Sequence, residues 1–502
     1  MQRADLAATV RAHLPAVVVA LSAGAAAVAG SYAAAGFTPA YVVAPVDSVV
    51  TRYVPGAFVT VAVLLLGDLG EQLSLLSATA LAVVLLGSLA GLGRAIAREA
   101  GVGPLAGPFA GVPVWAAATV LTGRPVLALG AGLAALFVVS IASIAGRVGT
   151  DDVGAADRRR VVGSAASLAG LGIAGWLLGS RRGTLDASGA AAEPAGAGEV
   201  SVATQQALAE ASEKSFDVDG LEPLVGEEFY VVDVSSVHPQ TATDEWSLSI
   251  TGAVGDETTF DYEDVTRREP VREFSTLRCV GEQLNGKKTD TALWTGVRVG
   301  DLLAAADVPD RCCVMAHGED GFFEEFPVAA LREALLVYRT NGKPLPRDHG
   351  APARLIVPGH WGEIHVKWVT ELEILDEPAE GYWEQKGWHG TGPANTVAKL
   401  YVNSDLDDGR KRVAGHAYAG TRGISRVEVS TDGGGATWNG VDLSEPLPGR
   451  SVWRQWKYEY DPPGGTHEVV VRATDGEGQL QPREASGPYP SGASGWVSKE
   501  VS

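Results

Sequence analysis

Cysteine is scarce. The 502 residues hold three, Cys279 and the adjacent Cys312 and Cys313. No Cys-x-x-Cys occurs, so a zinc ribbon or a thioredoxin-type pair is unsupported. A disulfide framework is equally unsupported, and the adjacent pair reads as packing on a strand. The chain also lacks a Cys-x-x-Cys-His haem motif, an iron–sulfur cysteine set and a dinucleotide-binding glycine fingerprint. No haem, no Fe–S cluster and no NAD or FAD are therefore expected. His13 is the sole histidine of the first 182 residues, too few for a bis-His haem between helices. Lysine numbers ten and methionine two, against 60 acidic residues. That balance matches chains that fold in molar salt, where screening relieves self-repulsion.

What is present falls into two halves. Residues 1–182 hold 8 acids and 12 arginines, a net +4. The rest holds 52 acids against 28 bases, a net −24. The first half is apolar and cationic, the second polar and acidic. A surface at −24 repels phosphate, which excludes nucleic acid as a partner. A 46% hydrophobic composition argues against disorder.

Apolar runs at about 14–36, 54–67, 73–93, 105–122, 126–146 and 161–179 approach the ~20 residues that cross a bilayer. The second ends early, at Asp68 and Glu71, so five or six spans are expected over 1–182. Glycine and alanine dominate, as close helix packing in lipid requires. No charge sits mid-span, so an anchor is favoured over a transport path. Arg94, Arg98, Arg147 and Arg158–Arg160 mark cytoplasmic loops, placing the acidic half outside; Arg181 and Arg182 oppose this, as do Arg3 and Arg11 with six spans. The run Arg158-Arg159-Arg160 before an apolar stretch also resembles a twin-arginine export signal.

Residues 183–222 read as a flexible linker with one short helix near 203–213. From 229 onward short strands and turns take over. Trp246–Gly252 and Glu273–Cys279 are expected strands, Asp261–Val265 opens a helix, and Ala292–Leu303 reads as a loop turning into a helix. Arg354–Pro358 and Val366–Ile374 are further strands. No regular βαβ alternation appears, which predicts a mixed α+β domain over 223–390. Residues 396–502 read as an all-β sandwich.

Eight stretches carry a resemblance. They are Phe229-Tyr230, Trp246–Gly252, Cys279-Val-Gly, Trp294–Leu303, Tyr338-Arg-Thr-Asn-Gly-Lys-Pro-Leu-Pro, His349-Gly-Ala-Pro-Ala-Arg354, Val357-Pro-Gly and Val366-Lys367-Trp368. In this order the chain resembles the sulfite oxidase family of molybdopterin enzymes, and its prokaryotic membrane-anchored members in particular. The resemblance implies a molybdenum–molybdopterin cofactor with Cys279 as the thiolate on the metal. It implies phosphate contacts from His349, Arg354 and Lys367, with close backbone approach at Gly350 and Gly359. His360 and His365 flank this loop and either could line the pocket; the family commonly has serine where His365 stands. The resemblance places Tyr338 beside the metal. The C-terminal region resembles the family's immunoglobulin-like dimerisation domain, which implies a homodimer. Arg422, or Arg426 on a shifted alignment, would then reach the substrate pocket. Sulfite-using members carry arginine where this chain has Val232, and again just after the cysteine, where it has Glu282-Gln283-Leu284.

The expected protein is thus a multi-domain, membrane-anchored, extracytoplasmic molybdenum oxidoreductase. It would transfer an oxygen atom and two electrons with a small-molecule substrate and pass the electrons to a separate carrier. A sulfoxide reductase-type enzyme of the same superfamily, and a non-catalytic surface scaffold that kept the fold, are the alternatives.

Overall fold

The structure is a computed structural model that describes residues 3–62, 68–145, 162, 170, 172, 175, 177–180, 200–226 and 229–502. The chain forms two compact units. One comprises residues 1–54, 66–190 and 233–240, the other 55–65, 191–232 and 241–502.

Helices α1 (Arg3–Ala35), α2 (Val43–Tyr53), α4 (Asp68–Glu99), α5 (Ala106–Thr122) and α6 (Pro125–Ala145) build the first unit, and α3 (Gly56–Val61) belongs to the second. Among the described residues, four stretches are long and apolar enough to cross a membrane: His13–Ala35, Gln72–Glu99, Gly103–Thr122 and Pro125–Ala145. The expected span at 54–67 yields only α3 among the described residues, and most of that at 161–179 lies outside them, as do Arg147, Arg158–Arg160, Arg181 and Arg182. Buried alanines on α1, α4, α5 and α6 let these backbones close up. Gly30 on α1 and Gly130 on α6 face each other so closely that a Cβ on either would run into the other's carbonyl oxygen. Gly130→Leu is therefore expected to cost about 1–3 kcal/mol of helix packing. A lower melting temperature of the detergent-solubilised helices would show it; an unchanged one would mean that the helices can separate freely. The sequence reading also passed over Asp47 of α2. It is fully buried and accepts hydrogen bonds from Ser74 Oγ (3.0 Å) and the Ser236 N–H (3.3 Å).

In the second unit, α7 (Val202–Lys214) is capped by Ser201, whose Oγ accepts the Thr204 N–H. Ala207, Leu208 and Ala211 of α7 pack with Leu224, Leu447 and Trp453. Residues 200–222 are accordingly docked by apolar contacts and are not a flexible linker; residues 183–199 lie outside the described set.

The domain that follows is two five-stranded sheets. One orders β2 (Thr258–Asp261), β1 (Ser247–Gly252), β10 (Val369–Leu375), β5 (Cys313–Gly318) and β6 (Phe323–Pro327). The other orders β3 (Val271–Arg278), β4 (Thr289–Arg298), β7 (Leu335–Thr340) and β8 (Lys343–Pro344), with β9 (Arg354–Ile356) also on β7. Only β1–β10 pairs in parallel. Short helices α8 (Tyr262–Thr266), α9 (Val299–Ala305) and α10 (Val328–Arg332) link strands. Asp261 and Asp264 form a reciprocal capping box that starts α8 where expected. The stretch expected to be a loop before α9 is instead β4, buried along nearly its whole length. A strand covered on both faces loses the alternation by which strands are recognised.

Residues 397–501 form two antiparallel sheets around one core that includes Val413, Val427, Trp456 and Val471. Cys312 and Cys313 are joined in a disulfide between adjacent residues, so packing alone does not describe them. Only Cys313 lies on a strand and is buried; Cys312 is exposed.

Candidate functional site

Strand β3 delivers Cys279 to its own end. The Cys279 N–H donates to the Lys288 carbonyl (3.0 Å), and the Glu282 N–H donates to the Cys279 carbonyl (3.2 Å), folding 279–282 into a turn. A bridge between Arg278 and Trp361 draws the 358–365 loop alongside. The Arg278 guanidinium stacks over the Trp361 ring at 4.7 Å. Gly362 passes so near that a Cβ there would lie 3.2 Å from Tyr230 Oη and 3.6 Å from Cys279 Cα.

Cys279 is the one cysteine without a disulfide partner. Burial pushes its thiol up to about 11; the Gly281 backbone N–H and Lys288 pull the other way. Burial likewise raises the Tyr230 hydroxyl well above its usual range, helped by Cys279 and Asp290 and opposed by Arg354. Tyr230 thus lies within electrostatic reach of both Cys279 and Arg354. Phe229 continues the wall, with ring centroids 5.2 Å from Tyr230, 5.4 Å from Trp294 and 5.8 Å from His349. Arg354 sits over the Trp294 ring at 5.7 Å. Its Nη1 donates to the His349 carbonyl (3.2 Å) and its Nη2 to the His365 carbonyl (3.0 Å).

His365 Nδ1 accepts the Val357 N–H (3.3 Å), which leaves the ring proton on Nε2. Among the described residues that buried Nε2 has no hydrogen-bond partner. Burial, then the charges of Arg354 and His360, hold His365 well below its usual pKa, so it is neutral. Lys367 Nζ donates to the Asp348 carbonyl (2.6 Å). Gly350 adopts φ +102°, and a Cβ there would lie 3.0 Å from the Arg354 Cβ and 3.1 Å from the Lys367 Cα. Its bare backbone lets Arg354 and Lys367 converge. Gly359 (φ +83°) makes its closest contact elsewhere: a Cβ would meet Thr421 Cγ2 at 2.7 Å and the Thr421 N at 2.8 Å. That contact seats the 420–422 turn against the loop bearing His360. Arg422, on the turn, is held by Asp475 (3.0 Å), the Ala394 carbonyl (2.9 Å) and Thr396 Oγ1 (3.2 Å). Arg426 is a largely exposed strand residue facing Glu428.

Cys279, His349, Arg354, Lys367, Gly350 and His365 therefore lie around one region, with the Arg422 turn at its edge. Tyr338 does not join them. It follows Val337, which pairs with Gly296, while Arg339 pairs with Thr295 and Thr295 with Arg272. That is the start of β3, whereas Cys279 follows its end, roughly 20 Å away at the rise of an extended strand. Tyr338 packs against Tyr262 and lines a separate cavity of about 780 Å³ with Arg272 and Thr295. Sequence spacing could not reveal this, because register decides which strand end a residue occupies.

Glu282, which stands just after the cysteine where sulfite-using relatives carry arginine, is itself paired. Its carboxylate accepts from Arg278 Nε (3.0 Å), Lys399 Nζ (2.6 Å) and Thr289 Oγ1. It is the anion of a buried ion cluster and not a free charge beside the thiol. Tyr230, Trp294, Trp361 and Lys399 received no role from the sequence. Tyr230 and Trp294 were visible only as members of the matching stretches Phe229-Tyr230 and Trp294–Leu303.

The residues fit a molybdenum–molybdopterin group. A soft thiol stands without a disulfide partner, the neutral His365 carries a buried N–H without an acceptor, and Arg354 and Lys367 supply cations for phosphate.

Comparison with known proteins agrees. The model of the oxidoreductase molybdopterin-binding domain matches residues 235–383, and that of the Mo-co oxidoreductase dimerisation domain matches 394–487. Mitochondrial sulfite oxidase of Homo sapiens is 30% identical over 299 residues, covering 49% of this chain and 54% of that protein. Nitrate reductase [NADH] 2 of Phaseolus vulgaris is 28% identical over 321 residues, covering 49% of this chain and 35% of its own length. The solved sulfane dehydrogenase SoxCD of Paracoccus pantotrophus matches 50% of this chain and 72% of its own, at 24% identity and a TM-score of 0.44. The chain spans about half the length of the mitochondrial sulfite oxidases it matches. With both domain models matched in succession, the chain belongs to the sulfite oxidase family of molybdopterin-binding oxidoreductases.

Proposed function

We propose that this is a membrane-anchored molybdenum oxidoreductase with Cys279 as the thiolate ligand of the metal. The observation that carries this reading is the half-buried Cys279 thiol, free of any disulfide and set beside Tyr230 at the end of β3 in the matched molybdopterin domain. When bound, the cofactor supplies two-electron oxygen-atom transfer. The chain's residues would hold it: Arg354, His349 and Lys367 at the phosphate, the His365 Nε2–H as a donor, and Cys279 by giving up its proton. Purified full-length protein is expected to carry one molybdenum per chain with pterin. A metal-free preparation with a thiol-reactive Cys279 would favour the scaffold reading instead.

Sulfite is expected to be a poor substrate. A dianion needs several cations around it. Val232 and Leu284 supply none, Arg422 is turned onto Asp475, and Arg278 and Lys399 are already paired with Glu282. Dye-linked sulfite oxidation and sulfoxide reduction by the metal-loaded protein would be compared. Saturation by micromolar sulfite would sink this expectation, and turnover only in the reductive direction would favour the reductase alternative.

A separate carrier takes the electrons, and the region matched by the dimerisation model pairs two copies. The catalytic half lies outside the cytoplasm, exported folded through the Arg158–Arg160 signal. Replacing Arg158 and Arg159 with lysine keeps the charge but is expected to stop export, because a guanidinium pair is not interchangeable with ammonium groups. Equal protease accessibility of residues 223–502 in wild-type and variant cells would reduce the run to a topology signal.

A further inference from the structure

The loop that carries His360 and His365 has a second face. Glu363 sits on its single 3₁₀ turn (Gly362–Ile364) and meets Glu324 of β6 and Glu384 of the turn Glu384–Lys386. One carboxylate oxygen from each lies within 4.8 Å of the other two. Glu324 is 0% and Glu363 6% exposed. Three buried carboxyls at this distance repel one another strongly when ionised. Natural proteins pair such charges or give them a metal.

Among the described residues, no cation is paired with any of the three. Among the described residues, neither oxygen of Glu363 nor of Glu384 has a hydrogen-bond partner. Glu324 accepts only two long bonds, from the backbone N–H groups of Glu325 and Trp383, each 3.3 Å. Glu363 is thus a carboxylate more than nine-tenths buried, aimed into the cluster, with both oxygens unsatisfied. The walls are shaped around the three side chains. A Cβ on Gly381 would collide with the Glu324 carboxylate, and one on Gly390 with that of Glu363.

We propose that Glu324, Glu363 and Glu384 together bind one divalent cation, Ca²⁺ in preference to Mg²⁺. Hard cations take oxygen ligands, and Ca²⁺ at ~2.3–2.6 Å can hold oxygens up to about 5 Å apart across its sphere. Mg²⁺ keeps most of its water and uses one or two carboxylates, which suits a buried three-carboxylate cage poorly. The cation would tie β6, the 358–365 loop and the 381–390 segment together. It would brace the loop two residues before His365 without touching the molybdenum site, and the proposal does not depend on that site being loaded.

The test uses the purified full-length protein in detergent, stripped with EGTA and titrated with CaCl₂ in 1 M NaCl. The salt screens the acidic surface, so that only a desolvated site responds. Saturating Ca²⁺ is expected to raise the melting temperature by about 5 °C, with one ion bound per chain by calorimetry. MgCl₂ at the same concentration should give less than half that shift. Glu363→Gln and the less buried Glu384→Gln should each abolish the calcium response. If Glu363→Gln fails to fold, Glu384→Gln carries the test alone. No calcium-dependent shift in the wild-type protein would overturn the proposal, leaving a cluster that shares protons. So would a shift that either glutamine variant keeps in full, because the ion would then sit elsewhere.

Discussion

Cys279→Ser is expected to lower turnover by at least ~10³-fold, about 4 kcal/mol of lost transition-state stabilisation, while the melting temperature stays within a few degrees of wild type. The two halves of that expectation have separate causes. Oxygen is a hard ligand and serine is protonated at working pH, so the soft anionic donor disappears. The fold, by contrast, uses only the backbone of residue 279: its N–H bonds the Lys288 carbonyl and its carbonyl takes the Glu282 N–H. The thiol, pushed up to about 11 by burial, is neutral before a metal takes its proton, so a neutral hydroxyl of nearly equal size replaces it without a charge penalty. The measurement is dye-linked turnover alongside molybdenum and pterin content. Near wild-type activity would remove the thiolate assignment. Loss of activity with a collapsed melting temperature would show that the side chain matters to packing and leave the ligand role unsupported.

What could be read beforehand followed physical locality. The α8 helix was legible because its capping residues lie within four positions of its start. Strands β1, β3 and β10 were legible from residues within their own span. The proximity of His349 and Arg354 was legible because five residues and one glycine bring them together locally. Features that depend on register or distant packing were not. Tyr338 and Cys279 belong to one sheet, yet the β3–β4–β7 pairing sends them to opposite ends. Nothing in the sequence near Glu282 announces Lys399, 117 residues away. Glu324, Glu363 and Glu384 are ordinary acids in a chain with 60 of them until the fold buries them together. The dipeptide Cys312-Cys313 shows the limit from the other side. Adjacency is visible in the sequence, but a bond between neighbours is a statement about backbone geometry that composition cannot make.

Glu282→Ala should be the most destabilising single change in residues 229–502, at about 3–5 kcal/mol. Arg278 is 0% and Lys399 1% exposed, and Glu282 is the anion that both contact. Removing it strands two like charges in a space without solvent, whereas removing Lys399 alone would leave Arg278 and Glu282 paired. Arg278 keeps its bonds to the Asn395 and Ala493 carbonyls, so its position is over-determined and it cannot swing out to water. Lys399 has a different escape: it can lose its proton. Burial already lowers it to about 8, with Glu282 holding it up against that pull. Its folded value lies below the ordinary ~10.5, so the unfolded chain binds the extra proton and stability rises with pH between about 8 and 10.5. Without Glu282 the folded value falls further, and the rising window extends down towards neutrality. The deficit of the variant relative to wild type should therefore be largest below pH 7 and shrink as pH passes through 8. Glu282→Gln, which keeps the shape and one acceptor but not the charge, should show the same pH trend with a smaller offset. Chemical denaturation of the detergent-solubilised protein at pH 6, 7.5 and 9 reads all of this. A deficit that does not change with pH would mean that lost packing, and not the stranded cations, sets the cost.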